Sequence, residues 1–148
     1  MRSKATNILQ LIIIITGVFY IITGIFFFIS PLVFGRFFSI NITDDWFESI
    51  KYEAFIAPLF FLSRGFASIL FSVGLSMILP LFDPLRYRGL IYFTGIVFPV
   101  MSSYLLLTNG IILGHFVLTL FGLFYLFILV ITVIGLMITR KDAKEGIE

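Results

Sequence analysis

The stretch PLFFLSRGFASILFSVGLSMILP, residues 58–80, decides the fold, because it is almost entirely apolar and nevertheless contains Arg64. A helix needs about 20 mainly apolar residues to cross a bilayer. Proline is tolerated in the first turn of a helix, as at Pro58, and Pro80 stands at the other end of the stretch. The pattern predicts a transmembrane helix that carries a charged side chain.

The composition of the whole chain also indicates that the protein lies in a lipid bilayer. Of the 148 residues, 60% are hydrophobic and 12% are charged, and the mean hydropathy is +1.15. Soluble domains are about half apolar and about one quarter charged. A soluble domain of this size has no interior large enough for the 20 phenylalanines. We therefore predict a membrane protein.

Charges and prolines divide the chain into four predicted spans, at about 8–29, 58–79, 89–108 and 111–139, with a loop at 30–57. The first apolar run is too long for a secretory signal and no small-residue cleavage site follows it, so we expect it to be retained. No internal repeat or linker divides the chain. The expected fold is all-α, an integral membrane four-helix bundle that forms a single transmembrane domain, residues 1–148.

The basic residues predict the topology of this bundle, because positively charged loops tend to stay in the cytoplasm. The residues on one side are Arg2, Lys4, Arg86, Arg88, Arg140, Lys141 and Lys144, and those on the other are Arg36 and Lys51. Both termini are therefore expected to be cytoplasmic, and loop 30–57 external. The sequence TNG, residues 108–110, is expected to form a tight external hairpin between the third and fourth spans.

The external loop contains a predicted short interfacial helix. Asp45 is the expected N-cap, with Glu48 at the third helical position. The residues predicted to share its apolar face are Trp46, Phe47, Ile50 and Ala54. A simple membrane anchor and a lid or partner-docking element both fit this pattern.

Arg64 begins a polar stripe on the second span, since residues four apart share a helix face. The stripe continues through Ser68, Ser72 and Ser76. A charge at the bilayer centre costs about 2.5 to 3.5 kcal/mol, so an ionisable group in a span suggests function. Two other interpretations are open: the serines form a helix-packing surface, and Arg64 extends to the nearby membrane surface.

Other spans carry polar groups at a similar depth, which predicts a polar recess that opens outward. The candidate ligand-binding residues are Arg64, Ser68, Ser102, Ser103, Tyr104 and His115, with His115 placed about one turn inside the fourth span. Two alternatives stay open. His115 could bond a backbone carbonyl or lie in the membrane interface, and Glu53 or Glu48 could neutralise Arg64 in an ion pair. Pro99 is expected to kink the third span and widen the recess.

The sequence lacks the residues that most enzyme chemistry needs. It has no cysteine and one histidine, and every acid lies outside the predicted spans. We find no catalytic motif, no metal-ligand set and no nucleotide-binding fingerprint, so no catalytic residue, metal or cofactor is predicted. The net charge of +2 does not form a basic stripe, so no nucleic-acid partner is expected. An enzyme and a secondary transporter are both disfavoured.

The order of the parts resembles the DoxX-like membrane proteins and a related group of small bacterial four-helix proteins. The likeness lies in SRGFASILFSVGL, residues 63–75, and in RYRGLIYF, residues 86–93. It implies a compact bundle in the bacterial cytoplasmic (inner) membrane. In such proteins an acidic residue commonly precedes the arginine, whereas FFLS precedes Arg64 here and the nearest acid is Glu53.

Three functional hypotheses follow from these observations. The first is a non-enzymatic protein that binds a membrane lipid or another amphipathic molecule in the recess. The second is an accessory subunit that meets a membrane-protein partner, or a second copy of itself, through small residues such as Gly17 and Gly24. The third, a channel or permease, is the least favoured because it needs a continuous polar path.

Overall fold

The chain folds into a bundle of apolar helices. The computed structural model describes residues 4–29, 43–50 and 52–144, without the side chains of residues 5, 47, 59 and 141–144. Its helices are α1 (Lys4–Ile29), α2 (Asp44–Ile50), α3 (Ala57–Ser76), α4 (Ile78–Phe82), α5 (Arg88–Tyr92), α6 (Phe98–Ile112) and α7 (Phe116–Lys144), and a π-helical segment, Phe93–Val97, joins α5 to α6. The described part of the chain contains no strand.

Four stretches are long and apolar enough to cross a membrane: Thr6–Ile29, Phe60–Phe82, Arg88–Ile112 and Phe116–Arg140. This confirms the predicted all-α, four-span architecture and makes the chain an integral membrane protein. We call the half of the bundle nearer α2 and the α6–α7 turn the α2 half. The half nearer the start of α1, the α4–α5 turn and the end of α7 is the terminal half.

Helices α1 and α3 form an antiparallel pair whose backbones nearly touch. A Cβ atom at Gly24 would lie 2.6 Å from the backbone nitrogen of Phe71, and one at Gly74 would lie 2.7 Å from that of Ile21. Only glycine leaves room for so close an approach. Gly17 and Gly24, which the sequence offered as a partner-binding face, therefore pack against α3 of the same chain.

Helices α6 and α7 form the second antiparallel pair, again through glycines. A Cβ atom at Gly110 would lie 2.7 Å from the backbone nitrogen of Thr119, and one at Gly122 would lie 2.9 Å from that of Leu107. Helix α1 joins the two pairs, because it packs on both α3 and α7. Its Tyr20 is fully buried and its hydroxyl donates to the backbone oxygen of Thr94, 2.7 Å away.

The third span is irregular where Pro99 was expected to kink it. Proline has no N–H, so the carbonyl of Gly95 cannot receive the usual helical hydrogen bond. The preceding residues adopt π-helical geometry, and the N–H of Phe98 donates to the carbonyl of Phe93. Such π segments are often found at functional sites. Gly95 packs directly against the side chain of Thr132 on α7.

The predicted hairpin at residues 108–110 is wrong. Helix α6 continues to Ile112, and the turn falls at residues 113–115, where Gly114 has a φ of 61°. The side chain of Asn109 donates to the carbonyl of Leu105 at 2.7 Å and so fits within the helix. Gly114 takes the left-handed conformation that ends many helices.

The expected interfacial helix corresponds to α2, but its N-cap is Thr43. The N–H of Trp46 donates to the Thr43 hydroxyl at 3.3 Å, whereas Asp45 lies in the first turn. Ile50 is buried and Trp46 is about half exposed. Ala54 lies beyond the end of the helix and is exposed, so it does not extend the apolar face. The rest of the predicted loop, residues 30–42 and residue 51, and the side chain of Phe47 lie outside the described residues.

Candidate functional site

The six predicted ligand-binding residues do not converge on one recess. Two cavities lie in the α2 half, on different sides of α3. Ser68 lines one of them and Ser102 lines the other. The remaining four residues, Arg64, Ser103, Tyr104 and His115, line neither.

His115 has a structural role at the start of α7. The N–H of Leu118 donates to its Nδ1 at 3.2 Å, so His115 caps the helix. The prediction that it lies one turn inside the fourth span is therefore wrong, because the turn at Gly114 moves the start of that helix to Phe116. The alternative that His115 bonds the backbone is right in kind but wrong in the partner, which is the N–H of Leu118 and not a carbonyl.

Ser103 and Tyr104, on α6, do not face a common recess. Ser103 is buried and its hydroxyl donates to the carbonyl of Val100 at 3.1 Å. Tyr104 is 72% exposed on the outer surface of the bundle. Ser103 thus faces the interior of the bundle and Tyr104 its outer surface, and neither lines one of the two cavities.

The first cavity is a groove of about 410 Å³ between α1 and α3, which we call the α1–α3 groove. The residues that line it are Gly24, Ile25, Phe28, Ile29, Ser68, Phe71 and Ser72. The hydroxyl of Ser68 donates to the carbonyl of Arg64 at 2.9 Å. The groove is therefore mainly apolar, and its α3 wall carries two serines, Ser68 and Ser72.

Arg64 stands at the α2 end of this groove. It lies one helical turn from Ser68 on the same face of α3, and helical side chains lean toward the N-terminus of their helix. Arg64 is exposed, and among the residues that the structure describes no ion pair joins it to Glu48 or Glu53. Its guanidinium group is thus placed to meet a ligand that extends out of the groove.

The second cavity has a volume of about 280 Å³ and takes residues from all four spans; we call it the aromatic cleft. Its lining consists of Thr23, Phe27, Phe66, Phe98, Met101, Ser102, Leu105, Leu106, Phe121 and Tyr125. None of these ten residues is charged. Phe66 lies two residues from Arg64, on nearly the opposite side of α3, so the cleft and the groove are separate.

The aromatic cleft opens sideways between α3 and α6. These two helices are not closely packed; their spans meet mainly at the terminal end, through α4 and α5. Phe66 on one wall, and Met101 and Leu105 on the other, are exposed on the membrane-facing surface. A molecule in the surrounding hydrocarbon could therefore enter the cleft without crossing the polar surface.

The sequence did not single out most of the cleft. Periodicity shows which residues of one helix share a face, but it does not show which faces of four helices meet around a space. Two signals were available. Tyr125 is an aromatic hydroxyl near the middle of an otherwise apolar span, and Phe66 lies opposite Arg64 on its helix.

The described residues contain no group of three or more histidines, cysteines or acids that could hold a metal ion. Comparison with known proteins finds no matching family model, no similar curated protein and no similar solved structure. The assignment of function therefore depends on the geometry of the two cavities.

Proposed function

We propose that this integral membrane protein is not an enzyme and binds an anionic lipid in the α1–α3 groove. The observation that carries the proposal is the position of Arg64. It is a cation without an ion-pair partner among the described residues, and it stands above an apolar groove of about 410 Å³ at a depth that lipid headgroups reach.

The depth follows from helix geometry. The second span begins at Phe60, so the Cα atom of Arg64 lies roughly 6 Å below its start, at about 1.5 Å per residue. The arginine side chain can extend from there to the lipid phosphates. Its planar group donates paired, charge-assisted hydrogen bonds to a phosphate. The acyl chain of the same lipid would lie along Phe28 and Phe71 in the groove.

The location and orientation of the protein belong to the same proposal. The distribution of basic residues supports cytoplasmic termini, and the resemblance to DoxX-like proteins supports the bacterial cytoplasmic membrane. The α2 half would then face outward, and the lipid would come from the outer leaflet. The small-residue faces that suggested an accessory subunit are occupied by packing within the chain, which favours ligand binding over that role.

Native mass spectrometry tests the proposal. The wild type, Arg64→Gln and the control Arg86→Gln would be released from nanodiscs that contain equal amounts of phosphatidylglycerol and phosphatidylcholine. Arg86 is an exposed arginine near the other end of the bundle. We expect the wild type and the control to retain phosphatidylglycerol preferentially, because the phosphate of phosphatidylcholine is already balanced by its own choline cation. Arg64→Gln should lose this preference about tenfold, because an interaction with an uncompensated charge contributes about 1.5 to 3 kcal/mol.

Two results would contradict the proposal. One is equal retention of the two lipids by the wild type. The other is a preference for phosphatidylglycerol that survives Arg64→Gln. A stoichiometric protein subunit that leaves with the wild type and is lost in Arg64→Gln would instead support the accessory-subunit hypothesis.

A further inference from the structure

We infer that the aromatic cleft is a second ligand site, and that its ligand is an uncharged lipid whose polar end is a hydroxyl or carbonyl group. This inference goes beyond the lipid proposed for the α1–α3 groove and does not depend on it. It rests on three observations: the size and opening of the cleft, its lack of charge, and two buried residues in its lining whose hydroxyls have no partner among the described residues.

The size and opening indicate that the occupant comes from the membrane. The volume of about 280 Å³ is roughly twice that of an engineered apolar cavity of about 150 Å³ that binds benzene. The exposed walls at Phe66 and Met101 join the cleft to the hydrocarbon layer. A lipid chain can lie across this opening with one end inside.

The lining excludes a charged head group. The cleft lies among the spans and contains no basic or acidic side chain to compensate a charge. An uncompensated charge at this depth costs several kcal/mol. The part of the ligand that enters the cleft must therefore be neutral.

The hydroxyls show that the ligand is not a pure hydrocarbon. Thr23 is 7% exposed and Tyr125 is 4% exposed, and both line the cleft. Neither makes a hydrogen bond to another residue in the described part of the chain. Their hydroxyl oxygens are not fully enclosed, since among the described residues the one enclosed side-chain oxygen without a partner is that of Thr132. A ligand in the cleft can therefore reach the hydroxyls of Thr23 and Tyr125.

Other threonines show what Thr23 could have done. The hydroxyls of Thr16, Thr94 and Thr139 all donate to the carbonyl four residues earlier in their own helices. The hydroxyl of Thr23 makes no such bond and is left at the cleft. A ligand hydroxyl or carbonyl would satisfy it.

Tyr125 is held in place for this contact by its aromatic neighbours. Its ring meets Phe19 edge to face, with centroids 5.4 Å apart, and meets Phe98 in a similar way at 5.9 Å. Ser102 adds a third hydroxyl from α6. The three hydroxyls come from three different helices, α1, α6 and α7, so the site exists only in the assembled bundle.

Photolabelling of the full chain in phosphatidylcholine nanodiscs tests this inference. The probe is hexadecanol with a diazirine close to its hydroxyl, and the matched probe is hexadecane with the same diazirine. We expect the alcohol to label cleft residues of α6 and α7 at least fivefold more than the hydrocarbon. The variant Thr23→Val/Tyr125→Phe should lose this excess, whereas Thr139→Val, the same change at a threonine satisfied within its helix, should keep it.

Several outcomes would overturn the inference. They are equal labelling by the two probes, full labelling of the double variant, and labelling outside the cleft. If the double variant does not fold, the single variants Thr23→Val and Ser102→Ala decide between the same outcomes. Arg64→Gln should leave the alcohol labelling unchanged, so a failure of the groove proposal would be seen separately.

Discussion

The two halves of the bundle are built differently. The terminal half contains a compact apolar cluster, Leu9, Ile13, Met77, Ile91 and Leu136, to which all four spans contribute. The side chain of Gln10 donates a hydrogen bond to the carbonyl of Leu81 at 2.7 Å. The α2 half contains the cavities of about 280 and 410 Å³, whereas the cavity found in the terminal half measures about 110 Å³.

This difference has a physical cause in the third span. At the terminal end, α4 and α5 are joined by a short turn and stay in contact. Pro99 and the π-helical segment then interrupt the regular helix near the middle of the bundle. Beyond that point α6 packs closely on α7 and not on α3, which leaves the aromatic cleft. The spans thus stay together in the terminal half, whereas in the α2 half the gap between α3 and α6 leaves room for a ligand beside the second buried cluster, Tyr20, Phe27, Ala67, Leu70 and Tyr125.

The largest effect is expected from a variant that disrupts the close contact between α1 and α3. Gly74→Ala places a Cβ atom 2.7 Å from the backbone nitrogen of Ile21 and 2.9 Å from the carbonyl oxygen of Gly17. Because both neighbours are backbone atoms, α1 and α3 must separate, at a cost of about 3 kcal/mol. Thermal unfolding in detergent would measure the loss.

Gly65→Ala on the same helix is the matched control. No atom lies within 4 Å of a Cβ atom at that position, and alanine is a better helix former than glycine. We expect its unfolding temperature to be unchanged or slightly raised. Equal destabilisation by the two variants would contradict the close α1–α3 contact.

A smaller effect is expected where the two halves meet. The Tyr20 hydroxyl donates to the backbone oxygen of Thr94, which lies within the π-helical segment. Tyr20→Phe removes this bond while keeping the ring, and hydrogen bonds between transmembrane helices contribute about 0.6 kcal/mol on average and up to about 1.7. We expect a loss in free energy of unfolding of about 1 kcal/mol.

The control for this change is Tyr104→Phe. The Tyr104 side chain is exposed and makes no hydrogen bond to the described residues. The unfolding free energy of Tyr104→Phe should therefore stay within about 0.5 kcal/mol of that of the wild type. If Tyr20→Phe is equally silent, the bond to Thr94 does not help to hold the first and third spans together.

The sequence was sufficient for the features that depend on local properties. Length and apolarity identified the four spans, and the four-residue period placed Arg64 and Ser68 on one face of α3. The features that depend on several helices could not be derived in this way. The small-residue spacing of Gly17 and Gly24 was recognised, but the pattern is the same whether the partner is α3 or another protein. Similarly, hydropathy could not place the turn, because Asn109 is tolerated inside a helix when a carbonyl accepts its side chain.

The variant with the smallest expected effect on stability is the most direct test of the difference in packing between the two halves. Ser102→Leu adds apolar volume at the wall of the aromatic cleft, where Ser102 is half-buried and makes no hydrogen bond to the described residues. In a tightly packed core such an insertion costs about 1 to 3 kcal/mol. At the cleft the new side chain enters space that is already open, so the unfolding temperature should stay the same or rise. Labelling by the diazirine-bearing hexadecanol should fall, because the leucine occupies the ligand's volume. A large loss of stability would instead mean that the α2 half is packed as tightly as the terminal half, and that the cleft cannot admit a ligand.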